Sequence, residues 1–363
     1  MQKPEIKLEI PSVFRDCLLD WFRSSRRDLP WRRTRDPYRI WISEVMLQQT
    51  RIEAVKEYYR RFLAELPDVF SLAAVPVDKL MKLWQGLGYY SRAANLRKAA
   101  NIIIRDFNGL FPEDPDKLRK LPGIGEYTAG AIASIAFHKP APAVDGNVVR
   151  VLARYLGNGV DTPDFRRSLS NALIPIYPPE GSSDCSSFTQ SIMELGETLC
   201  IPNGVPLCEK CPLRHFCIAA KDGRTAELPV KIAKSERKTL ELTVLLLFNE
   251  SGIYLKKRPD KGLLAGLWEL PNQAGCRTKK EILAELNASG FQTEKMKKLP
   301  VTTHIFTHIQ WNMTPWSVKV SGTPAVSSFV LAPWEKLKTD FPIPNAFGKL
   351  LKRTVFPDLP HSL

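Results

Sequence analysis

The chain has 363 residues, enough for two or three domains with cores of their own. Its 44% hydrophobic and 25% charged residues are ordinary for a globular protein, and no apolar run is long enough for a transmembrane helix. Lysine plus arginine exceed aspartate plus glutamate by 52 − 38 = 14, which tilts the balance towards a polyanionic partner. The first residues carry no apolar signal core, so an intracellular, reducing location is expected. Disulfides are disfavoured there, and the 7 cysteines need another role.

In chain order, Ser12 is expected to cap a first helix that puts Phe14, Leu18, Trp21 and Phe22 on one face. Arg26, Arg27, Arg32, Arg33, Arg35 and Arg39 follow, interleaved with Trp31 and Tyr38. Cations for phosphates beside aromatics for bases suit a nucleic-acid surface, although a charge run is more often a solvated face. Asp36-Pro37 is a helix-start pair. Between residues 40 and 50 the only charge is Glu44, on a stripe with Trp41, Val45 and Gln48. A carboxyl on an apolar face should hold its proton and could act as a general acid; the alternative is a buried glutamate paired with an arginine. Further amphipathic helices are expected over 53–110, including 79–85 and 92–106. The turn between those two, Gly86-Leu87-Gly88-Tyr89-Tyr90, presents two aromatics, either as a wedge for DNA or as a helix C-cap with its apolar contact.

The stretch 118–149 reads as helix, glycine hairpin, helix and a proline-rich turn ending in Asp145-Gly146-Asn147. Gly123 and Gly125 bracket one apolar residue in the hairpin, and the amides of the next helix form a site for a phosphate oxygen. Small residues fill 127–137, so that helix packs closely. Asn147 is expected to cap a helix over 150–156, followed by helices at 165–176 and in SFTQSIMELGETLC. Cys200, Cys208, Cys211 and Cys217 lie within 18 residues at spacings x7, x2, x5, a metal-ligating set for which zinc and an iron–sulfur cluster are both chemically possible. One C-x2-C knuckle rather than two favours iron–sulfur. The polar stretch 218–238 reads as a linker, and the composition then turns α+β: two strands around Asn249-Glu250-Ser251-Gly252, a helix near 280–287, more strands and a closing helix near 346–353.

LPGIGEYTAGAI followed by VDGNVVRV resembles the helix-hairpin-helix and aspartate of the endonuclease III superfamily of DNA glycosylases, and within it the adenine-excising MutY family. The resemblance spans roughly residues 10–355 and implies a multidomain protein: an all-α helix-hairpin-helix region with an iron–sulfur loop over 1–220, a linker over 221–238, and an α+β Nudix-like domain over 239–363. SEVMLQQT matches the family segment whose glutamate protonates adenine, which implies that Glu44 is the acid, that Gln49 enters the duplex and that Thr50 lies near the opposite base. Asp145 is implied to stabilise the sugar cation, with Tyr127 and Asn147 orienting the machinery. Arg27, Leu29, Trp31 and Gln190 are implied to line the adenine pocket. QGLGYYSRA resembles the wedge loop, giving Leu87, Gly88 and the intercalating Tyr89. The four cysteines are implied to hold a 4Fe-4S cluster, with a first gap one residue longer than the family's usual x6. Lys210, Arg214 and His215 sit among those ligands, where a phosphate contact is expected.

Strand-cleaving members of the superfamily place a nucleophilic lysine where this chain has Tyr127, which implies a monofunctional glycosylase. KKRPDKGLLAGLWELPN resembles the opening of a Nudix fold, but no REx2EE run follows, so pyrophosphate hydrolysis is not expected. Phe306-Thr307-His308 stands where the family reads 8-oxoguanine with Phe-Ser-His. The implied partner is duplex DNA with adenine opposite 8-oxoguanine or guanine, bound by a monomer, with no membrane. Three rivals are a strand-cleaving pyrimidine-lesion glycosylase, a mismatch-binding module without turnover, and a nucleotide-pool hydrolase.

Overall fold

A computed structural model describes residues 8–230, 236–325 and 327–353. Among the described residues, twelve α-helices form in chain order before the first strand. They are α1 (Ser12–Ser25), α2 (Pro37–Leu47), α3 (Ile52–Glu65), α4 (Val69–Ala74), α5 (Val77–Leu83) and α6 (Ser91–Phe107). Then come α7 (Pro115–Arg119), α8 (Glu126–Phe137), α9 (Gly146–Tyr155), α10 (Pro163–Leu173), α11 (Asp184–Thr198) and α12 (Ile218–Lys221). The strands are β1 (Lys238–Phe248), β2 (Gly252–Lys257), β3 (Trp268–Glu269), β4 (Asn272–Ala274), β5 (Gln292–Lys298), β6 (Thr302–Ile305), β7 (Ile309–Ser321) and β8 (Val330–Pro333). Three more helices, α13 (Lys279–Ala288), α14 (Trp334–Leu337) and α15 (Asn345–Arg353), complete the described chain.

The described residues divide into two compact units: one runs up to Ala74 and from Asn95 to Val230, the other joins Val75–Ala94 to everything from Glu236 onward. In the helical unit, Phe14 and Leu18 of α1, Val148, Leu152 and Tyr155 of α9, Leu169 of α10, and Phe188 and Ile192 of α11 bury one another. Phe14 meets the edges of Tyr155 and Phe188 at ring separations of 4.8 and 6.4 Å. A smaller core joins Ile40 of α2 to Ala131 and Ile135 of α8 and to Ala143. Gly130 makes that packing possible, since a Cβ there would stand 2.1 Å from the Pro142 carbonyl oxygen. Gly196 does the same between α11 and the start of α9, where a Cβ would lie 2.6 Å from that of Asn147.

Two expectations need correcting here. Ser12 is the first residue of α1 rather than its cap; Pro11 precedes it in extended backbone and caps nothing with a side chain. The stretch from 218 is no free linker as far as it is described. It starts as α12, the Leu228 carbonyl accepts from Arg154 Nε at 3.0 Å, and Val230 pairs with Val160 as a short parallel bridge. Residues 231–235 of the expected linker lie outside the described residues.

In the second unit the strand order is β3-β2-β1-β7-β5, with β4 on β1, β6 on β7 and β8 on β2. β1 and β7 run parallel at the centre, and the other pairings are antiparallel. From Leu242 to Phe248 β1 is buried on both faces, hence its near-continuous apolar sequence there. Leu242, Val244 and Leu246 face Phe347 and Leu350 of α15, while Leu245 and Leu247 face Ile282 and Leu286 of α13. A Thr278–Glu281 capping box starts α13. The Val75–Ala94 segment is tied to this unit by Gln85 Nε2 to the Ile343 carbonyl at 2.6 Å, Lys82 Nζ to the Phe341 carbonyl at 3.2 Å, and Lys257 to Asp78 at 3.0 Å.

Candidate active site

Asp36 starts α2 as expected, accepting from the Tyr38 amide at 2.9 Å, and the helix carries Glu44 into an apolar setting where it is 5% exposed. Burial pushes its carboxyl up to about 7; the hydrogen bond from Tyr127 pulls the other way, and the charge of Asp145 adds to the rise. Tyr127, in the first turn of α8, donates its phenol hydrogen to Glu44 Oε2. Burial and the neighbouring carboxylates hold that phenol well above its ordinary range, so it stays a donor.

Asp145 is the N-cap of α9: Oδ1 accepts from the Val148 amide at 2.8 Å and Oδ2 from Asn147 Nδ2 at 2.9 Å. Asn147, expected as the cap, stands inside the first turn, because the aspartate two residues earlier takes the free amide. Burial raises the Asp145 pKa while these hydrogen bonds and the Arg150 charge oppose the rise, and the helix N-terminus favours the anion. Asn147 is braced in turn: its Oδ1 accepts from Arg150 Nη2 at 2.8 Å, and Arg150 also reaches the Gly196 and Cys200 carbonyls at 2.8 and 2.7 Å.

Glu44, Tyr127, Asp145 and Asn147 line one cleft of about 740 Å³, room enough for an extruded nucleotide. Arg27, Leu29, Trp31 and Gln190 line the same cleft, as do Gln49, Thr50, Gly123 and Gly125. Leu29 and Trp31 are buried, with Trp31 set against the edge of Tyr59 at 5.6 Å. Gln190 donates to Ser186 Oγ at 2.9 Å. Gly123 needs its positive φ of 79°, and Gly125 starts α8 with no side-chain cap, leaving the helix amides open to an anion. Arg32, expected only as one cation of a nucleic-acid surface, and Glu194, which sequence reasoning missed, also line the cleft. The signal was present: Glu194 follows Gln190 by one helical turn and is the charge inside the apolar run SIMELG.

In the sheet-bearing unit, Tyr89 is 46% exposed with a left-handed φ of 46°, and its hydroxyl lies 2.9 Å from Thr307 Oγ1. Gln49 of the helical unit shares this strained backbone, with φ 60°. The loop around Tyr89 presents one aromatic, not two, since Tyr90 is buried. Leu87 is buried as well, and Arg92 Nη2 takes its carbonyl at 2.9 Å, so its side chain is core rather than contact surface. Gly88, at φ 70°, accepts from Trp84 Nε1 at 3.1 Å. Phe306, Thr307 and His308 form the turn between β6 and β7; Thr307 and His308 are exposed, while Phe306 packs on Trp311 at 4.8 Å.

Cys200, Cys208, Cys211 and Cys217 line one small apolar cavity of about 30 Å³ with Leu199 and Leu213. Among the described residues no three His, Cys, Asp or Glu side chains are close enough together to hold a metal ion as they stand. In donor chemistry four cysteine sulfurs on one loop suit an iron–sulfur cluster, and Arg154 Nη1, 3.3 Å from Cys200 Sγ, would offset thiolate charge. Lys210, Arg214 and His215 are exposed on the same loop.

Residues 42–175 match the model of the HhH-GPD superfamily of base excision DNA repair proteins, and residues 243–353 that of the NUDIX domain. The adenine DNA glycosylase of Rattus norvegicus is 34% identical over 89% of this chain and 74% of its own length. That of Buchnera aphidicola subsp. Acyrthosiphon pisum is 31% identical over 93% and 94%. Among solved structures, a non-covalent endonuclease III–DNA complex is 28% identical, with a TM-score of 0.50, over 58% of this chain and 94% of that one. A helix-hairpin-helix unit with two acids in one cleft, a Nudix-like unit after it, and relatives alike over nearly the whole length give one answer: the chain belongs to the adenine DNA glycosylases, the adenine-removing N-glycosylases of base excision repair.

Proposed function

We propose that the cleft receives an adenine extruded from duplex DNA, paired there with 8-oxoguanine or guanine, and hydrolyses its N-glycosidic bond to leave an abasic site. The observation that carries this reading is the meeting of Glu44, able to hold a proton near neutral pH, and Asp145, capped into an anionic role, on one cavity. Adenine leaves readily only when a ring nitrogen is protonated, and Glu44 supplies that proton. As the bond lengthens, positive charge gathers on the sugar, and Asp145 stabilises it electrostatically or by a transient bond to C1′. Tyr127 steadies Glu44 and Asn147 steadies Asp145. With tyrosine where strand-cleaving relatives carry the lysine amine, no Schiff base forms and the strand stays intact.

The hairpin amides at Gly123 and Gly125 bind phosphate, Gln49 and Tyr89 hold the duplex open, and unstacking costs about a few kcal/mol, least at a mismatch. Thr307 and His308 read the opposite base, the threonine hydroxyl standing in for serine. Cys200, Cys208, Cys211 and Cys217 would hold a 4Fe-4S cluster, which when bound supplies redox chemistry that hydrolysis does not need. Its loop would present Lys210, Arg214 and His215 to phosphate. The protein acts as a monomer, inside the cell with the chromosomal DNA. The test is incubation with labelled duplexes holding adenine opposite 8-oxoguanine, guanine or thymine, followed by alkali. Cleavage at adenine opposite the first two, absent without alkali, is expected; borohydride-trapped protein–DNA adducts would contradict it.

A further inference from the structure

Glu126, Glu194 and Glu197 line the cleft without a part in the mechanism, and of these Glu194 alone is buried. It is 1% exposed, on the face of α11 that also carries Gln190 and Met193 to the cavity. Its Oε1 accepts from the Arg27 amide at 3.1 Å and from Arg27 Nε at 2.8 Å. Its Oε2 accepts from Arg27 Nη2 at 2.7 Å and from Arg32 Nη2 at 2.8 Å. Arg32 closes the knot by donating from Nη1 to the Arg27 carbonyl at 3.1 Å. A carboxylate offers about four lone-pair sites. All are taken, so Glu194 accepts nothing from a base without releasing an arginine. It works through its two partners, and both guanidiniums line the cleft.

We infer that Glu194 is a positioning residue of the adenine pocket, fixing Arg27 and Arg32 as oriented donors on its wall and balancing one of their two charges beside Glu44. This rests on the reading of the cleft as the adenine site. Three observations favour it over a purely structural ion pair. The fork to Arg27 is side-on and bidentate, which fixes a guanidinium plane rather than a bare charge. Arg27 Nη1 is the nitrogen this fork leaves for a ligand, and adenine presents acceptor nitrogens on every ring edge. Arg32 also acts on Glu44, its charge drawing the carboxyl pKa down against burial. The groups facing Glu44 are Tyr127 of α8, Asp145 at the start of α9, and Arg32; Arg27 is felt in addition by Glu197 and Glu53. The two arginines carry two positive charges and Glu194 one negative. Removing the negative charge leaves the pocket more cationic and Glu44 readier to lose its proton.

The test is single-turnover adenine release across pH for wild type, Glu194→Gln and Glu194→Asp. In Glu194→Gln the expected rate falls about 10²-fold, as for a positioning group set adrift by about an ångström, and the alkaline limb moves to lower pH. Glu194→Asp keeps the charge and returns the limb to its wild-type position at a reduced rate. A structural role alone would lower the active fraction and leave the limb where it was. If Glu194→Gln does not fold, Arg32→Lys keeps the charge and loses the two-point link between Glu194 and the Arg27 carbonyl, giving a slower enzyme with an unmoved limb. A wild-type rate in either Glu194→Gln or Arg32→Lys overturns the inference, as does an equally displaced limb in Glu194→Asp and Glu194→Gln. Absence of adenine release from wild type on every duplex would instead remove the reading of the cleft itself.

Discussion

Glu44 lies 5% exposed in a wall of apolar helix, whereas Tyr89 lies 46% exposed at a loop tip, held by a hydrogen bond with Thr307 and by the Arg92 guanidinium 5.6 Å over its ring. The helical cleft braces each group to which the proposed reaction gives a part: Glu44 by Tyr127, Asp145 by Asn147, Asn147 by Arg150, Arg27 by Glu194. The β6–β7 turn leaves Thr307 and His308 open and supports them through Phe306 packed on Trp311. Proton transfer to a poor leaving group needs desolvation and fixed charge, and both come from burial. Reading an opposite base needs reach, and reach comes from exposed side chains on a stiff sheet. Large effects should therefore belong to the first region and small, selective ones to the second.

The largest effect is expected for Asp145→Asn. It keeps the cap shape and mismatch binding but loses the charge, and single-turnover excision should fall by about 10³-fold or more. Glu44→Gln should cost about 10²-fold and abolish the alkaline limb of the pH profile, since glutamine has no proton to lose. Substituting Cys211 by serine should remove the visible absorbance that the proposed 4Fe-4S cluster gives the purified protein and lower the melting temperature. It should also weaken excision through Arg150, which links the Cys200 carbonyl to Asn147. Smallest is Thr307→Val, which breaks the bond to Tyr89 while keeping the shape. At about 0.5–1.5 kcal/mol the loss is at most roughly tenfold, and it should fall on discrimination between opposite bases rather than on the excision step, as competing duplexes would show. A Thr307 variant that abolished excision outright would break the contrast.

The helices were legible because their apolar spacing, Asp36-Pro37 and the LPGIG hairpin are local signals, and Glu44 stood out as a lone charge in an apolar run. The α+β character of the second half was legible from its alternation and from the change after the polar stretch. What stayed hidden depends on partners distant in sequence. Asn147 looks like a helix cap until Asp145 takes the amide, and 218–230 looks like a linker until Arg154 and Val160 claim it. Leu87 and Tyr90 read as surface beside their glycines, and only the packed structure buries them. Glu194 gave a signal of the same kind as Glu44, a charge in an apolar helix, but its two arginine partners lie more than 160 residues away.

The most direct measurement is the pH dependence of single-turnover adenine release from a duplex with adenine opposite 8-oxoguanine, for wild type and Glu44→Gln side by side. Burial raises the Glu44 pKa above its ordinary value, so the proton needed by the leaving base is present at acid pH and is lost as pH rises through about 7. Asp145 must be ionised, which sets a separate fall at acid pH, somewhat above the usual aspartate range because its own pKa is raised. Wild type should thus give a bell whose alkaline side descends near pH 7, with that descent missing from the slower Glu44→Gln variant. A wild-type rate that stayed level through neutral and alkaline pH, or the same descent in both proteins, would contradict the account.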